Sequence, residues 1–178
     1  MPYHERHRMT YEPIIRAETP QDRQAIYDLT RDAFAPMAFS DGSEPDIINQ
    51  LRADGELTLS LVADADGIIG HVAFSPAKIS QAQGVWYGLG PISVRADKQR
   101  QGIGTKLVHT GLEMLRNMGA AGCVLTGNPD VYMPMGFKND HALTYSGLNP
   151  RFILYYTFDG SIPKGEINFA EALEEEHP

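Results

Sequence analysis

The segment Gln99-Arg100-Gln101-Gly102-Ile103-Gly104-Thr105-Lys106 puts Gly102 and Gly104 between an apolar run that ends at Val94 and an amphipathic run that begins at Ile103. Glycines at the start of a helix let a ligand approach the backbone closely. The first-turn amides there have no intrahelical acceptor, and the helix dipole favours negative charge. Phosphate binding is the chemistry these residues serve, with Arg100 and Lys106 adding positive charge. A glycine-rich turn that only joins a strand to a helix has the same composition, so the pair alone does not decide. Two common phosphate motifs fail on inspection. A dinucleotide fingerprint needs a third glycine where Leu107 stands, and a P-loop needs Gly-Lys-Ser/Thr where the chain has Gly104-Thr105-Lys106.

The other residue types capable of chemistry are scattered. The 6 histidines show no metal-ligand spacing with a cysteine pair, so no metal is expected. Cys123 lies in the apolar run Gly122-Cys123-Val124-Leu125, the setting of an inert buried thiol. No Gly-x-Ser-x-Gly elbow supports a serine hydrolase. His71, in an apolar run, reads as a hydrogen-bonded core histidine, and His109 as a residue on the exposed side of its helix. Asp41, Glu44 and Asp46 would favour a cationic partner, and read equally well as a solvated charged loop.

The elements that must position these residues follow from periodicity. Ile14-Ile15-Arg16 opens an extended run, and Thr19-Pro20 with Asp22 predicts a capped helix carrying Ala25, Ile26, Leu29, Ala33 and Phe34 on one face. A polar loop from Pro36 to Pro45 precedes a short helix at Asp46–Ala53. Leu57–Ala63, Ile68–Ser75 and Gly84–Val94 predict an antiparallel meander, its first turn at Asp66-Gly67. Ile103, Leu107, Val108, Gly111, Leu115 and Met118 share a helical face, Gly119 stops that helix, and Ala121–Thr126 predicts a buried strand parallel to the one before the helix. A helical turn at Tyr132–Phe137 and a late strand at Phe152–Phe158 complete the set.

With 178 residues, 42% of them hydrophobic and 21% charged, the chain fits one globular domain. The expected division is a flexible extension over 1–13, a single domain over 14–170 and a solvated acidic tail over 171–178. A net charge of -8 disfavours nucleic acid and anionic membrane surfaces as partners. The single cysteine, the lack of an apolar run of spanning length and the polar start lead to the expectation of a cytoplasmic protein.

At the glycine segment the sequence resembles the GNAT superfamily of N-acetyltransferases, whose acetyl-CoA pyrophosphate loop reads Gln/Arg-x-x-Gly-x-Gly/Ala; Gln99, Gly102 and Gly104 match in register. The likeness runs from about Ile14 to Phe137, through Asp22 and Gly70-His71-Val72, and includes Tyr132-Met133-Pro134-Met135-Gly136-Phe137, similar to the family's Tyr-x-x-x-Gly-Phe. It implies an α/β (α+β) fold with a central mixed, mostly antiparallel sheet flanked by helices. It implies acetyl-CoA as cosubstrate and an amine acceptor. By the same resemblance Ile92, Ser93 and Val94 pair with the pantetheine arm, and Gln99, Arg100, Gln101, Gly102, Ile103, Gly104, Thr105 and Lys106 hold the pyrophosphate. Asn128 either reaches the pantetheine amides or serves a turn with Pro129.

An alkylamine with a pKa near 10.4 is mostly protonated at neutral pH, so acetyl transfer needs a way to remove a proton and a donor for the departing thiolate. The resemblance assigns the donor to Tyr132, and the backbone amide near Ile92 to the developing oxyanion. Many relatives carry a glutamate base on the strand before the loop, whereas Trp86–Val94 contains no carboxylate. A water relay, an acid from another segment, or no base at all remain open. That departure also keeps in play a non-catalytic acyl-CoA-binding sensor. The acceptor and the oligomeric state are open, a homodimer being one arrangement.

Overall fold

A computed structural model describes residues 12–174. The chain opens with β1 (Ile14–Ala17), followed after a 3-10 turn by α1 (Arg23–Phe34) and α2 (Glu44–Ala53). The entry to α1 is set by Asp22, whose carboxylate accepts from Thr19 N–H at 2.7 Å and from the Arg16 guanidinium at 2.7 and 3.0 Å. Next come β2 (Leu59–Asp64), β3 (Ile68–Ile79) and β4 (Trp86–Val94), the antiparallel meander read from sequence, its first turn formed by Asp66 and Gly67 at positive φ. α3 (Ile103–Asn117) leads to β5 (Gly122–Thr126), which pairs parallel to β4. After α4 (Pro129–Tyr132) the chain forms β6 (Leu143–Thr144), β7 (Ile153–Thr157), β8 (Gly165–Asn168) and α5 (Glu171–Glu174).

The 8-stranded sheet runs β1-β2-β3-β4-β5-β7, with β8 pairing both β3 and β6. It is mixed, because β4–β5 and β6–β8 are parallel and the other named pairs antiparallel. β3 is longer than its hydrophobic run suggests. β2 reaches only to Phe74 on its edge and β8 takes over at Lys78, so Pro76 falls in the gap between these partners, where its missing N–H breaks no ladder.

α3 covers one face of the sheet, burying Leu107, Val108, Leu112 and Leu115 against Leu61, Val72, Phe74 and Leu125. The approach is close at Gly111, where a Cβ would overlap the Phe74 ring. Burying a side chain of that size contributes roughly 1.5–3 kcal/mol. The alternate residues of β3, beginning with His71 and Ala73, face the opposite layer. There Ile26 of α1 and Ile48 of α2 pack on Val62, and Trp86, Val124, Ile153, Tyr155 and Ile167 form a second cluster toward β7.

The C-terminal segment closes this second face. Phe169 lies against Gly88, where a Cβ would come within 2.7 Å of its ring, and Ala170 and Ala172 pack on Leu51. The expected solvated tail is therefore corrected over Glu171–Glu174: these residues form a helix with Ala172 at 4% exposure, because small apolar side chains there complete the cover of α2. The expected N-terminal extension, up to residue 11, and the last residues, 175–178, lie outside the described residues.

Candidate active site

β4 and β5 share a ladder only from Trp86 to Gly88 and Gly122 to Val124. Beyond Gly88 the strands part, and β5 continues to Thr126 with its other edge on β7. The remainder of β4, Leu89–Val94, keeps β3 on one edge and, among the described residues, has no strand on the other. A bulge falls in this stretch: Phe74 faces Leu89 and Val72 faces Ile92, so Gly90 and Pro91 together oppose Ala73. The bulge resets the alternation, and Leu89 and Ile92 both lie toward α3 while Ser93 turns to the other face beside His71. Of Ser93, then, only the backbone accompanies Ile92 and Val94 along the open edge.

The loop leaving β4 folds back onto it. Gln99 Nε2–H donates to Val94 C=O at 3.1 Å, and Arg100 and Gly102 adopt positive φ of 63° and 83° to turn the chain into α3. The first helical hydrogen bond runs from Lys106 N–H to Gly102 C=O, so the amides of Ile103, Gly104 and Thr105 precede the helix's own ladder. A Cβ on Gly104 would be 3.8 Å from Val94 and 4.0 Å from Ile92, so the bare helix start stands directly over the open strand. The loop's own residues include no acid. Asp97, just before it, is held by Arg95 at 2.6 Å, which keeps that carboxyl below the usual range. Lys106 Nζ reaches Pro13 C=O at 3.5 Å across the start of β1.

β5 delivers Asn128 and Tyr132. The Asn128 side-chain oxygen accepts from Asp130 N–H at 2.9 Å and caps α4, the turn role among its two readings. The Tyr132 ring sits edge-on to Phe137 at 6.0 Å and so close under Gly127 that a Cβ there would be 2.7 Å from it. A phenol is protonated at neutral pH, and burial pushes that of Tyr132 further above its ordinary value, so it is able to donate. Ile92, Val94 and Tyr132 all pack against the core cluster beneath α3. His109, exposed as expected, also has a task that periodicity did not reveal: it hydrogen-bonds Met135 C=O at 2.8 Å, tying α3 to the turn that carries Tyr132.

On the second face, His71 is a core histidine as read from sequence, at 0% exposure, with Nε2 2.8 Å from Ser60 Oγ. Burial, reinforced by the Arg52 charge, lowers its pKa to about 3, so it is neutral at working pH. His71 Nδ1, Ser93 Oγ and Ser75 Oγ are buried with no protein partner among the described residues. Such orphans cost about 1–3 kcal/mol each, which makes their grouping on one face a feature to explain. Ser60 also lines a cavity of about 320 Å3 with Glu18, Arg23, Arg52, Leu57 and Met114, apart from the glycine loop and Tyr132. The acidic loop residues are engaged locally: Asp41 accepts from Ser43 N–H at 2.9 Å, Glu44 from the Ser40 hydroxyl at 2.8 Å and Asp46 from the Tyr27 hydroxyl at 3.2 Å. Cys123 is fully buried, which raises its thiol well above the ordinary value. The described residues contain no cluster of potential ligands suited to a metal ion.

The profile of the acetyltransferase (GNAT) family matches residues 23–137. The N-acetyltransferase YhbS of Escherichia coli K12, itself uncharacterized, is 37% identical over 127 residues, spanning 70% of this chain and 73% of the relative. Among solved structures, a GNAT family acetyltransferase from Brucella melitensis in complex with acetyl-CoA is 41% identical, with a TM-score of 0.81 over 92% of this chain and 99% of that one. YhbS from Escherichia coli in complex with CoA superposes with a TM-score of 0.84 at 30% identity, covering 93% of each chain.

Proposed function

Since this chain belongs to the acetyltransferase (GNAT) family and is thereby an acetyl-CoA-dependent N-acyltransferase, we propose that it acetylates a primary amine of a small molecule or peptide by direct attack in a ternary complex. The observation that carries this reading is the open edge of β4, Leu89–Val94, which runs up to the bare N-terminus of α3. A strand edge offers N–H and C=O groups to an extended amide-bearing arm, and first-turn amides beside Arg100 and Lys106 suit a pyrophosphate. The donor set fits acetyl-CoA, whose thioester supplies the activated acyl group.

Each residue then has a definite task. Ile103, Gly104 and Thr105 hold the pyrophosphate by their amides, while Ile92 and Val94 align the pantetheine arm. The backbone amide near Ile92 stabilises the negative charge that develops on the carbonyl oxygen. Tyr132, a phenol protonated at neutral pH and held more firmly so by burial, donates to the departing sulfur.

Calorimetry with acetyl-CoA, followed by thiol release against a panel of primary amines, tests the reading. Micromolar binding with amine-dependent release is the expected outcome. Tyr132→Phe should then lower kcat about a hundredfold, the scale of general acid catalysis, with acetyl-CoA affinity kept. Binding without release from any amine would reduce the protein to an acyl-CoA sensor, and undiminished turnover in Tyr132→Phe would remove the phenol from the chemistry.

A further inference from the structure

Tyr132 sits on a segment that its own backbone holds loosely. The hydrogen bonds on either side of it, from Tyr132 N–H to Asn128 C=O and from Phe137 N–H to Tyr132 C=O, are both 3.3 Å long. The usual length is about 2.9–3.0 Å. α4 is a single turn, and the flanking Val131 and Met133 are 48% and 50% exposed, so neither neighbour anchors Tyr132 in the core.

The firm attachment comes from α3. His109 Nε2 lies 2.8 Å from Met135 C=O, three residues beyond Tyr132. A carbonyl oxygen only accepts, so Nε2 carries the hydrogen and donates, in the neutral imidazole and the imidazolium alike. Packing supports the same end of the segment. The Tyr132 ring meets Phe137 at 6.0 Å, Phe137 meets Tyr156 at 5.5 Å, and a Cβ on Gly136 would come within 2.9 Å of Tyr156. Tyr156 also borders a cavity of about 190 Å3 that His109 lines, so packing on that side leaves slack that the hydrogen bond takes up. Thr105 and His109 are four residues apart in α3, on one face and about 6 Å apart along the axis. One rigid helix thus joins an amide assigned above to the pyrophosphate with the carbonyl that steadies Tyr132.

We propose that His109 is a positioning residue for acetyl transfer: its bond to Met135 C=O fixes the Tyr132 hydroxyl relative to the start of α3. It thereby sets the distance from the held pyrophosphate to the proton donor for the departing sulfur. The proposal rests on the acetyl-transfer reading above, and in it His109 touches neither cosubstrate nor acceptor but acts through Tyr132.

Two substitutions of this exposed residue separate the bond from the bulk of the side chain. His109→Met keeps a long side chain and removes the donor, whereas His109→Gln offers an N–H near the place of Nε2. The kinetic arm uses acetyl-CoA and the amine from the thiol-release panel that the unsubstituted protein acetylates fastest. His109→Met should lower kcat about threefold to tenfold, because the hydroxyl is displaced and not removed, with acetyl-CoA affinity unchanged by calorimetry. His109→Gln should recover most of that loss, and His109→Met should cost nothing further in the Tyr132→Phe background. Unchanged kcat in His109→Met, a loss that His109→Gln does not recover, or a full extra loss in the Phe background overturns the proposal. So does an acetyl-CoA affinity that falls in step with the rate.

Fluorine NMR of the full chain labelled with fluorotyrosine, without ligand, tests the coupling independently of any acceptor. The Tyr132 signal is identified by its absence from Tyr132→Phe. It should shift or broaden in His109→Met and return toward its original position in His109→Gln, and a signal indifferent to both overturns the proposal. Failure of the unsubstituted protein to release thiol with any amine counts instead against the acetyl-transfer reading, and the fluorine signal then decides whether His109 holds Tyr132.

Discussion

Gly127→Ala is the sharpest probe of how Tyr132 is held. Gly127 is not in the left-handed region, so alanine costs no backbone strain, and the perturbation is confined to the added methyl group. That methyl would stand 2.7 Å from Tyr132 Cε2, against 3.4 Å for ordinary contact, so the ring has to retreat by about 0.7 Å. Phe137 blocks retreat toward the core, since it is 2% exposed and already edge-on to the ring, so Tyr132 tilts and its hydroxyl, at the far end of the lever, moves further than the ring edge. Misplacing a reacting group by about 1 Å can cost roughly a hundredfold in rate, and a tenfold to hundredfold fall in kcat is therefore expected. Acetyl-CoA affinity should hold, because neither the glycine loop nor the β4 edge is touched. The assay is thiol release at saturating amine, run in the wild type, Gly127→Ala, Tyr132→Phe and the double variant. If the phenol is the proton donor, Gly127→Ala should cost little more once the hydroxyl is gone. A full extra loss in the Phe background, or wild-type turnover in Gly127→Ala, would refute the argument.

Gly104→Leu should weaken acetyl-CoA binding at least tenfold by calorimetry with a near-native melting temperature, since the new side chain fills the exposed space between the α3 start and Ile92 and Val94. Gly111→Ala should destabilise by about 2 kcal/mol through overlap with Phe74 and lower Tm by several degrees, without altering acetyl-CoA affinity in the folded fraction. Asp22→Asn should cost about 1–2 kcal/mol at neutral pH by denaturant unfolding, because it weakens a pair whose carboxylate is buried but whose Arg16 partner keeps about a third of its side chain in solvent. The Arg16 guanidinium and the Thr19 amide hold the Asp22 carboxyl well below its usual range, so its contribution is complete above the unfolded value near 3.9 and is lost as pH falls below it. The stability gap between wild type and Asp22→Asn should accordingly be flat from pH 8 to 5 and close below pH 4. A gap that widens in acid would contradict the assignment.

The parts of the fold that were legible are those whose cause is local. The β2–β4 meander, α3 and the parallel β5 follow from periodicity and turn residues, and the Gln99–Lys106 loop stands where its glycines indicate. β6 and β8 were not legible, because they exist by pairing with Gly165 and Lys78, distant residues that a run of four or fewer does not announce. Glu171–Glu174 read as a tail since its charges dominate, and it is the cluster of Leu51, Ile47 and Leu57, distant in the chain, that gives Ala172 a reason to be buried. In the site, Ser93 looked like a neighbour of Ile92 and Val94. The Gly90–Pro91 bulge, not alternation, decides which way it points, and it is what sets Ser93 against His71.

The open edge of β4 has a consequence for the life of the protein in a cell. A bare strand edge is a template for any other extended chain, so the unliganded protein carries its own aggregation hazard along Leu89–Val94. In the binding mode proposed above acetyl-CoA would cover that edge, and a ligand at a hundred times its dissociation constant adds about 2.7 kcal/mol to folding stability. By that linkage the supply of the cosubstrate would set the folded fraction as well as the rate of turnover.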